Sequence, residues 1–419
     1  MDQTVISSIL RILKDERFRS LHYWVSQGQI QYQDLMHADM PQGLSVEQTW
    51  ELITALRKYL GSCGSVHETP HEEGSWYVEN DEIRSILADI DVICQPYSHL
   101  SHVMEQRDVT SLFLQSFTDD ILAGMKRDAL HIEYETVRSL LLGEKEPGGY
   151  EERVTANTAV ILNDLASYVD RDFDDGLVAE LLSRALSGAD GSRQDSFIEA
   201  VLKDPSHRQA LQIIYGSGNN VCYEHPFRDM TAISFASWTY RPFNDLSGCM
   251  ELLLRRLSLL KRKRPVFTLV PYSKAHLSVE GEERKTQSEG GIVTSDGVDY
   301  TPRILQLVRL FKEELNTLEQ MAIKVEERDV RLLTIIESDR EINSRQQRLV
   351  AQALCRPSAE FGIRAHAEYF NIVKASARSD LYGLVKLGFL RKEKRGKRIV
   401  FLPALGLPTL IAHHKPLYT

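Results

Sequence analysis

Apolar residues along this chain recur at spacings of three and four far more often than they alternate, which predicts a mainly α-helical protein. Ser45–Tyr59 places Trp50, Leu52, Ile53 and Leu56 on one face, behind a Ser45-Val46-Glu47-Gln48 capping box. Asp81–Ile93 is amphipathic, and a further helix leads from Asp119-Asp120-Ile121 to near Leu142. Met230–Trp238, Met250–Leu260 and Ile304–Lys324 continue the pattern, while Gly61–Gly74 and Glu280–Gly291 read as loops. Near the C-terminus the period changes. Ser344–Leu354, the short Ile363–Phe370 and Lys374–Lys386 read as three helices, with a turn at Asn371-Ile372-Val373 before the third. Leu387-Gly388-Phe389-Leu390 then leads into a hairpin of Leu390–Lys394, a turn at Arg395-Gly396-Lys397, and Arg398–Leu402.

At 419 residues and 42% hydrophobic, the chain is long enough for two or three domains with cores of their own. The pattern divides it into a helical N-terminal domain (1–100), a helical domain (101–338) and a C-terminal domain (339–419). Five scattered cysteines fit a reducing compartment. Met1-Asp2-Gln3-Thr4 lacks the basic start of a signal peptide, and no apolar run reaches membrane-spanning length. These features predict a cytoplasmic protein without a membrane partner. Cys63, His67 and His71 have a loose metal-ligand spacing with no fourth ligand nearby, so no metal is expected there.

Charge sharpens the division. Ser344–Thr419 holds 14 Lys/Arg and 4 Asp/Glu, a net of +10, whereas the chain is −9, leaving −19 for the remainder. A small basic module on an acidic body is the footprint of nucleic-acid binding. Lys392, Lys394, Arg395, Lys397 and Arg398 on the hairpin would reach backbone phosphates without choosing sequence. Lys374, Ser376, Arg378, Ser379 and Tyr382 lie on the N-terminal, exposed side of the third helix, where base edges would be met. The competing expectation is a module that grips an acidic protein. Arg255-Arg256 and Lys261–Arg264 form another basic stretch, read as a solvated helix end.

One loop carries candidate phosphate chemistry. Arg241-Pro242-Phe243-Asn244-Asp245-Leu246-Ser247-Gly248-Cys249 resembles the Fic-family signature His-Pro-Phe-x-Asp/Glu-Gly-Asn-Gly-Arg. The flanks agree: His225-Pro226 and an apolar helix precede it, Met250–Leu260 follows it, and Asp299-Tyr300-Thr301 is similar to the Asp-x-Thr that opens the family's last helices. Glu146-Pro147 through Asn157 is similar to the family's Pro…Glu…Asn stretch. The resemblance implies a helical fold and a reaction that moves AMP from ATP to a protein hydroxyl. In that reaction the His is the base, the acid holds magnesium, the glycine-rich turn cradles phosphate and the Arg clamps it.

Several of those parts are missing here. Arg241 stands at the base position and cannot accept a proton, Leu246 and Ser247 replace the first two nest residues, and Cys249 replaces the phosphate Arg. Asp245 and Gly248 remain. The family's self-inhibitory Glu and Ser fall on Arg127 and Ala123. Asp170–Asn220 shows no convincing strand pair where the family uses a target-docking flap. A rival register, His225-Pro226-Phe227-Arg228-Asp229, keeps base and acid but runs into Met230-Thr231-Ala232 without a glycine nest; otherwise His225 is a capping residue.

The C-terminal segment resembles the winged helix-turn-helix of bacterial regulators, through Ala377, Asp380, Leu381, Leu384, Gly388 and Leu390. Together the resemblances imply a pseudoenzyme: a mainly α Fic-like domain with a helical lead-in and an α+β winged helix. Such a protein is expected to regulate transcription as a homodimer on double-stranded DNA. Its relic cleft is the place for a nucleotide or small-molecule effector, and no cofactor is expected. The alternative is a divergent Fic enzyme, in which Asp245 holds Mg, ATP is the donor and His225 supplies the base.

Overall fold

The computed structural model describes residues 32–38, 40, 43–60, 63–65, 76–107, 113–189, 194–219, 225–286, 292–294, 297–395 and 398–414. His22–Trp24 and Gln29–Gln31, His67 and His71 lie outside them. Helices dominate. The chain forms two compact units: one of residues up to Gln95 and Gln115–Leu315, the other of Pro96–Leu114 and Asn316 onward.

The first unit begins with α1 (Tyr32–Leu35) and α2 (Val46–Leu60), whose Trp50, Ile53 and Leu56 close a small core with Leu35. The Ser45 hydroxyl accepts from the Gln48 N–H at 3.2 Å while Gln48 Oε1 accepts from the Ser45 N–H at 3.0 Å, a reciprocal cap. Cys63–Ser65 is not part of a loop but a strand, β1, paired antiparallel with β2 (Trp76–Val78). Three-residue strands β3 (Ile292–Thr294) and β4 (Gly297–Asp299) complete a sheet of order β1-β2-β4-β3. Buried Arg57 on α2 meets Asp299 at 2.9 Å, and Asp299 also accepts from the Thr301 N–H at 2.9 Å, so one carboxylate ties α2 to the strand end.

Between these strands runs the helical body: α3 (Asp81–Ile93), then α5 (Leu114–Arg127), α6 (Tyr134–Leu141), α7 (Tyr150–Asp164), α8 (Asp175–Leu186), α9 (Gln194–Lys203), α10 (Pro205–Asn219), α11 (Pro226–Tyr240), α12 (Ser247–Lys261) and α13 (Tyr272–Thr286). The helix expected from Asp119 to Leu142 is thus two. It breaks at Asp128–Glu133, where Ala129 adopts a left-handed φ of 58° and the Leu130 N–H turns back to the Met125 carbonyl at 2.9 Å. Glu280–Thr286, expected in a loop, is helical instead, because α13 carries on through Glu280 to Thr286. At the centre lies α12, buried at every position from Ser247 to Leu259. A helix covered all round normally reads as continuously apolar. This one carries Glu251, Arg255 and Arg256.

The second unit contains α4 (His99–Gln106), the C-terminal part of the long α14 (Thr301–Glu337), α15 (Ser344–Cys355), α16 (Ile363–Tyr369), α17 (Lys374–Lys386), β5 (Leu390–Arg395), β6 (Arg398–Pro403) and α18 (Leu407–Ala412). Asn343 opens α15 with a capping box completed by Gln346. Helix α17 ends in a Schellman turn: Phe389 N–H to the Leu384 carbonyl at 2.9 Å, Gly388 N–H to the Val385 carbonyl at 3.0 Å. Gly388 supplies the φ of 80° this turn requires. The turn aims the chain into the β5–β6 hairpin, which runs in register from Leu390↔Pro403 to Arg395↔Arg398. Leu349, Val350, Leu381, Leu384, Phe389 and Phe401 fill the core beneath. Among the described residues no helix is long and apolar enough to cross a membrane.

Candidate functional site

The loop between α11 and α12 is tightly wound. Arg241 ends α11 in the left-handed region (φ 46°), Asn244 repeats it (φ 50°), and a 3-10 turn at Asn244–Leu246 feeds α12. Phe243 and Leu246 anchor it in the core, leaving Arg241, Asn244 and Asp245 exposed. Arg241 and Asp245 approach one another loosely, at 3.8 Å, both open to solvent.

The first turn of α12 is where a phosphate would meet free N–H groups. Those groups are taken. The Asp128 carboxylate, almost fully buried, accepts from the Gly248 N–H at 2.7 Å and the Cys249 N–H at 2.9 Å. Helix α5 lies backbone to backbone on this turn: a Cβ on Gly248 would sit 2.3 Å from the Gly124 carbonyl oxygen. Burial pushes the Asp128 carboxyl up to about 7 despite its two N–H donors. The Cys249 side chain faces inward, its Sγ 2.9 Å from the Thr158 hydroxyl, and burial pushes the thiol up to about 12. Sequence reasoning missed Asp128. Its signal is a carboxylate at a helix break, and nothing local says which distant N–H groups it serves.

His225 and Asp229 lie elsewhere. His225 is the N-cap of α11, its Nδ1 accepting from the Phe227 N–H at 3.2 Å, and burial lowers its pKa. Asp229 is ion-paired with Arg262. The 15-residue α11 separates His225 from Arg241 by about 24 Å at 1.5 Å per residue. The structure therefore does not bring His225 to Asp245. Among the described residues, no group of three or more His, Cys, Asp or Glu is placed to hold a metal.

Of the basic stretch expected as a solvated helix end, Arg255 and Arg256 are interior, whereas Lys261, Arg262 and Arg264 are half-buried and Lys263 is exposed. Arg255 Nε donates to Glu251 at 2.6 Å, Arg255 Nη2 to Asp120 at 3.1 Å, and Arg256 Nη2 to the same Asp120 oxygen at 2.9 Å. Glu251 also receives Ser234 and Ser273 hydroxyls, and Asp120 receives the Ser273 N–H at 2.8 Å. Two carboxylates balance two guanidiniums, which is how four charges persist in a core. Burial opposes the charge on Asp120, yet the two arginines hold it below the ordinary carboxylate range. Lys261 donates to the Arg171 carbonyl at 2.6 Å. Arg127 pairs with Glu280 at 2.5 Å and lies 4.9 Å over the Trp238 ring, while Ala123 is buried. Asn157 caps the end of α8 through the Ala185 and Ser187 carbonyls, at 3.0 and 2.8 Å.

The second unit presents a different surface. On α17, Ala377, Asp380, Leu381 and Leu384 face inward. Lys374, Arg378 and Ser379 are exposed, and Ser376 and Tyr382 half-buried. The Arg378 guanidinium lies 5.4 Å from the Tyr382 ring centre and the Lys392 ammonium 5.5 Å from it, joining helix to hairpin by two cation–π contacts. Lys394 and Arg398 project from the hairpin; Arg395 pairs with Glu360 and Glu393. Lys397 lies outside the described residues. Beneath this face Asp380 gathers Asn343 at 2.8 Å, Arg345 at 2.7 Å and His366 at 3.1 Å, holding α15, α16 and α17 together.

No family model matches the chain, and no curated protein matches it. Among solved structures it is similar to the crystal structure of a Fic family protein from Desulfovibrio desulfuricans G20, with 13% sequence identity, a TM-score of 0.42, and coverage of 78% of this chain and 97% of that one.

Proposed function

We propose that this chain is a DNA-binding regulator: a winged helix-turn-helix on a Fic-like helical body that carries out no nucleotide transfer. The observation that carries the reading is the face formed by α17 and the β5–β6 hairpin. Lys374, Arg378, Lys392, Lys394 and Arg398 are there together, with Tyr382 between helix and hairpin. A helix of this exposure suits the major groove, and hairpin cations suit the adjacent phosphates. The net +10 of Ser344–Thr419 supports attraction to a polyanion over attraction to the chain's own acidic body alone.

The silent body is supported by the loop at 241–249. A base is missing at Arg241, the helix N-terminus is filled by Asp128, and Cys249 points into the core. Magnesium and ATP do not fit this loop: Asp245 is exposed with Arg241 beside it, and a phosphate would have to displace the buried Asp128 carboxylate. Two copies reading two half-sites would give a single small module useful affinity.

The test is fluorescence anisotropy of the purified protein on double-stranded DNA from upstream of its own gene, against a scrambled duplex, across a salt series. The reading expects preference for the native sequence and affinity falling steeply with salt. Arg378→Ala should erase the preference, whereas Lys392→Ala should weaken both duplexes alike. Equal binding to the two duplexes by the unaltered protein, or no binding, would overturn it.

A further inference from the structure

We propose that a cavity within the second unit, of about 470 Å³, binds a small organic anion: a carboxylate or sulfonate carried on an apolar body. Its lining is apolar at Met321 and Val325 on α14, Leu354 on α15 and Leu407 on α18. The lining also carries Arg107, Arg328 and Arg391, and no acidic residue among the described residues lines it. The volume is in the range of small-molecule sites, which are mostly apolar with a few convergent polar groups.

The three arginines are not equivalent. Arg107 reaches Asp329 at 2.6 Å, and Arg328 binds the other oxygen of that carboxylate at 2.7 Å. Two guanidiniums thus share one negative charge. The side chain of Arg391, exposed at the start of β5, makes no hydrogen bond or ion pair with any described residue. It has its whole donor fork to offer, in the planar geometry that suits a carboxylate or sulfonate. The excess positive charge lines an apolar hollow, which selects a ligand with one anionic end and one greasy end. Cys355 lines the same hollow, and burial raises its thiol pKa, so it adds no competing negative charge. Leu405, which lines the cavity and is 81% exposed, is a large apolar side chain that such a ligand would cover.

The inference does not rest on DNA binding, and its test contains no DNA, so either can fail alone. The full-length protein is titrated with 8-anilinonaphthalene-1-sulfonate, followed by its fluorescence, and the bound dye is displaced with decanoate or with 1-decanol. Saturable binding of one dye per chain is expected, with decanoate displacing it at least tenfold more effectively than the uncharged alcohol. Arg391→Gln should weaken dye binding about tenfold, which corresponds to about 1.4 kcal/mol. Leu405→Asp, which sets a negative charge in the lining, should weaken it similarly. Both positions are exposed, and unchanged melting temperatures establish that the variants fold. Absence of saturable binding to the unaltered protein would overturn the proposal. So would equal displacement by acid and alcohol, or affinity unchanged in both variants.

Discussion

Two adjacent basic pairs in this chain have opposite fates. Arg255-Arg256 is sealed in the centre of the body, each guanidinium held by Asp120 and one also by Glu251. Arg391-Lys392 stands on an exposed hairpin strand with no carboxylate partner among the described residues. The same contrast separates the 241–249 loop from the face of α17 and the hairpin. At 241–249 the groups that would greet an anion are consumed by Asp128, while along α17 and the hairpin most cations remain open. A charged or hydrogen-bonding group is available to a ligand only when the fold has not already satisfied it.

Breaking the interior side of this comparison should cost most. Asp120→Ala leaves two guanidiniums buried against Glu251 alone, and denaturant unfolding should show a loss of about 3–5 kcal/mol. The plug at α12 comes next. Asp128 has its carboxyl raised from 3.8 to about 7 in the fold. The folded state therefore holds this proton more tightly than the unfolded chain, so the group's contribution is fully present below about pH 4 and is lost as pH rises to about 7. Unfolding free energies of Asp128→Asn should lack that decline, and the difference from the unaltered protein across the window should be on the order of 2–4 kcal/mol. A variant that follows the same pH curve as the unaltered protein would remove Asp128 from this role.

Gly248→Ala sharpens the same point through sterics. Its Cβ would meet the Gly124 carbonyl, a backbone atom that cannot swing aside, and a loss of about 1–3 kcal/mol in thermal or denaturant unfolding is expected. The smallest stability effect belongs to the open side. Lys394→Ala should change unfolding by less than about 0.5 kcal/mol. If the hairpin meets DNA, the same variant should lower the slope of log affinity against log salt by about one.

Much of the architecture was legible beforehand. The Ser45 capping box, the three C-terminal helices and the hairpin after Gly388 are local devices, in which caps, apolar spacing and a left-handed glycine act within a few residues. Two of the misreadings share a cause. The single helix expected over Asp119–Leu142 breaks because Asp128 turns toward N–H groups 120 residues away in sequence. Arg255-Arg256 looked like a solvated end because their counter-ions, Asp120 chief among them, come from another helix.

From sequence alone came the helical class and the basic C-terminal segment, since composition and periodicity need no third dimension. Only the tertiary structure decided which charges are spent and which are free. Burial and pairing depend on partners brought together from distant parts of the chain, and a carboxylate or guanidinium has the same local sequence whether it faces water, a ligand or its own counter-ion.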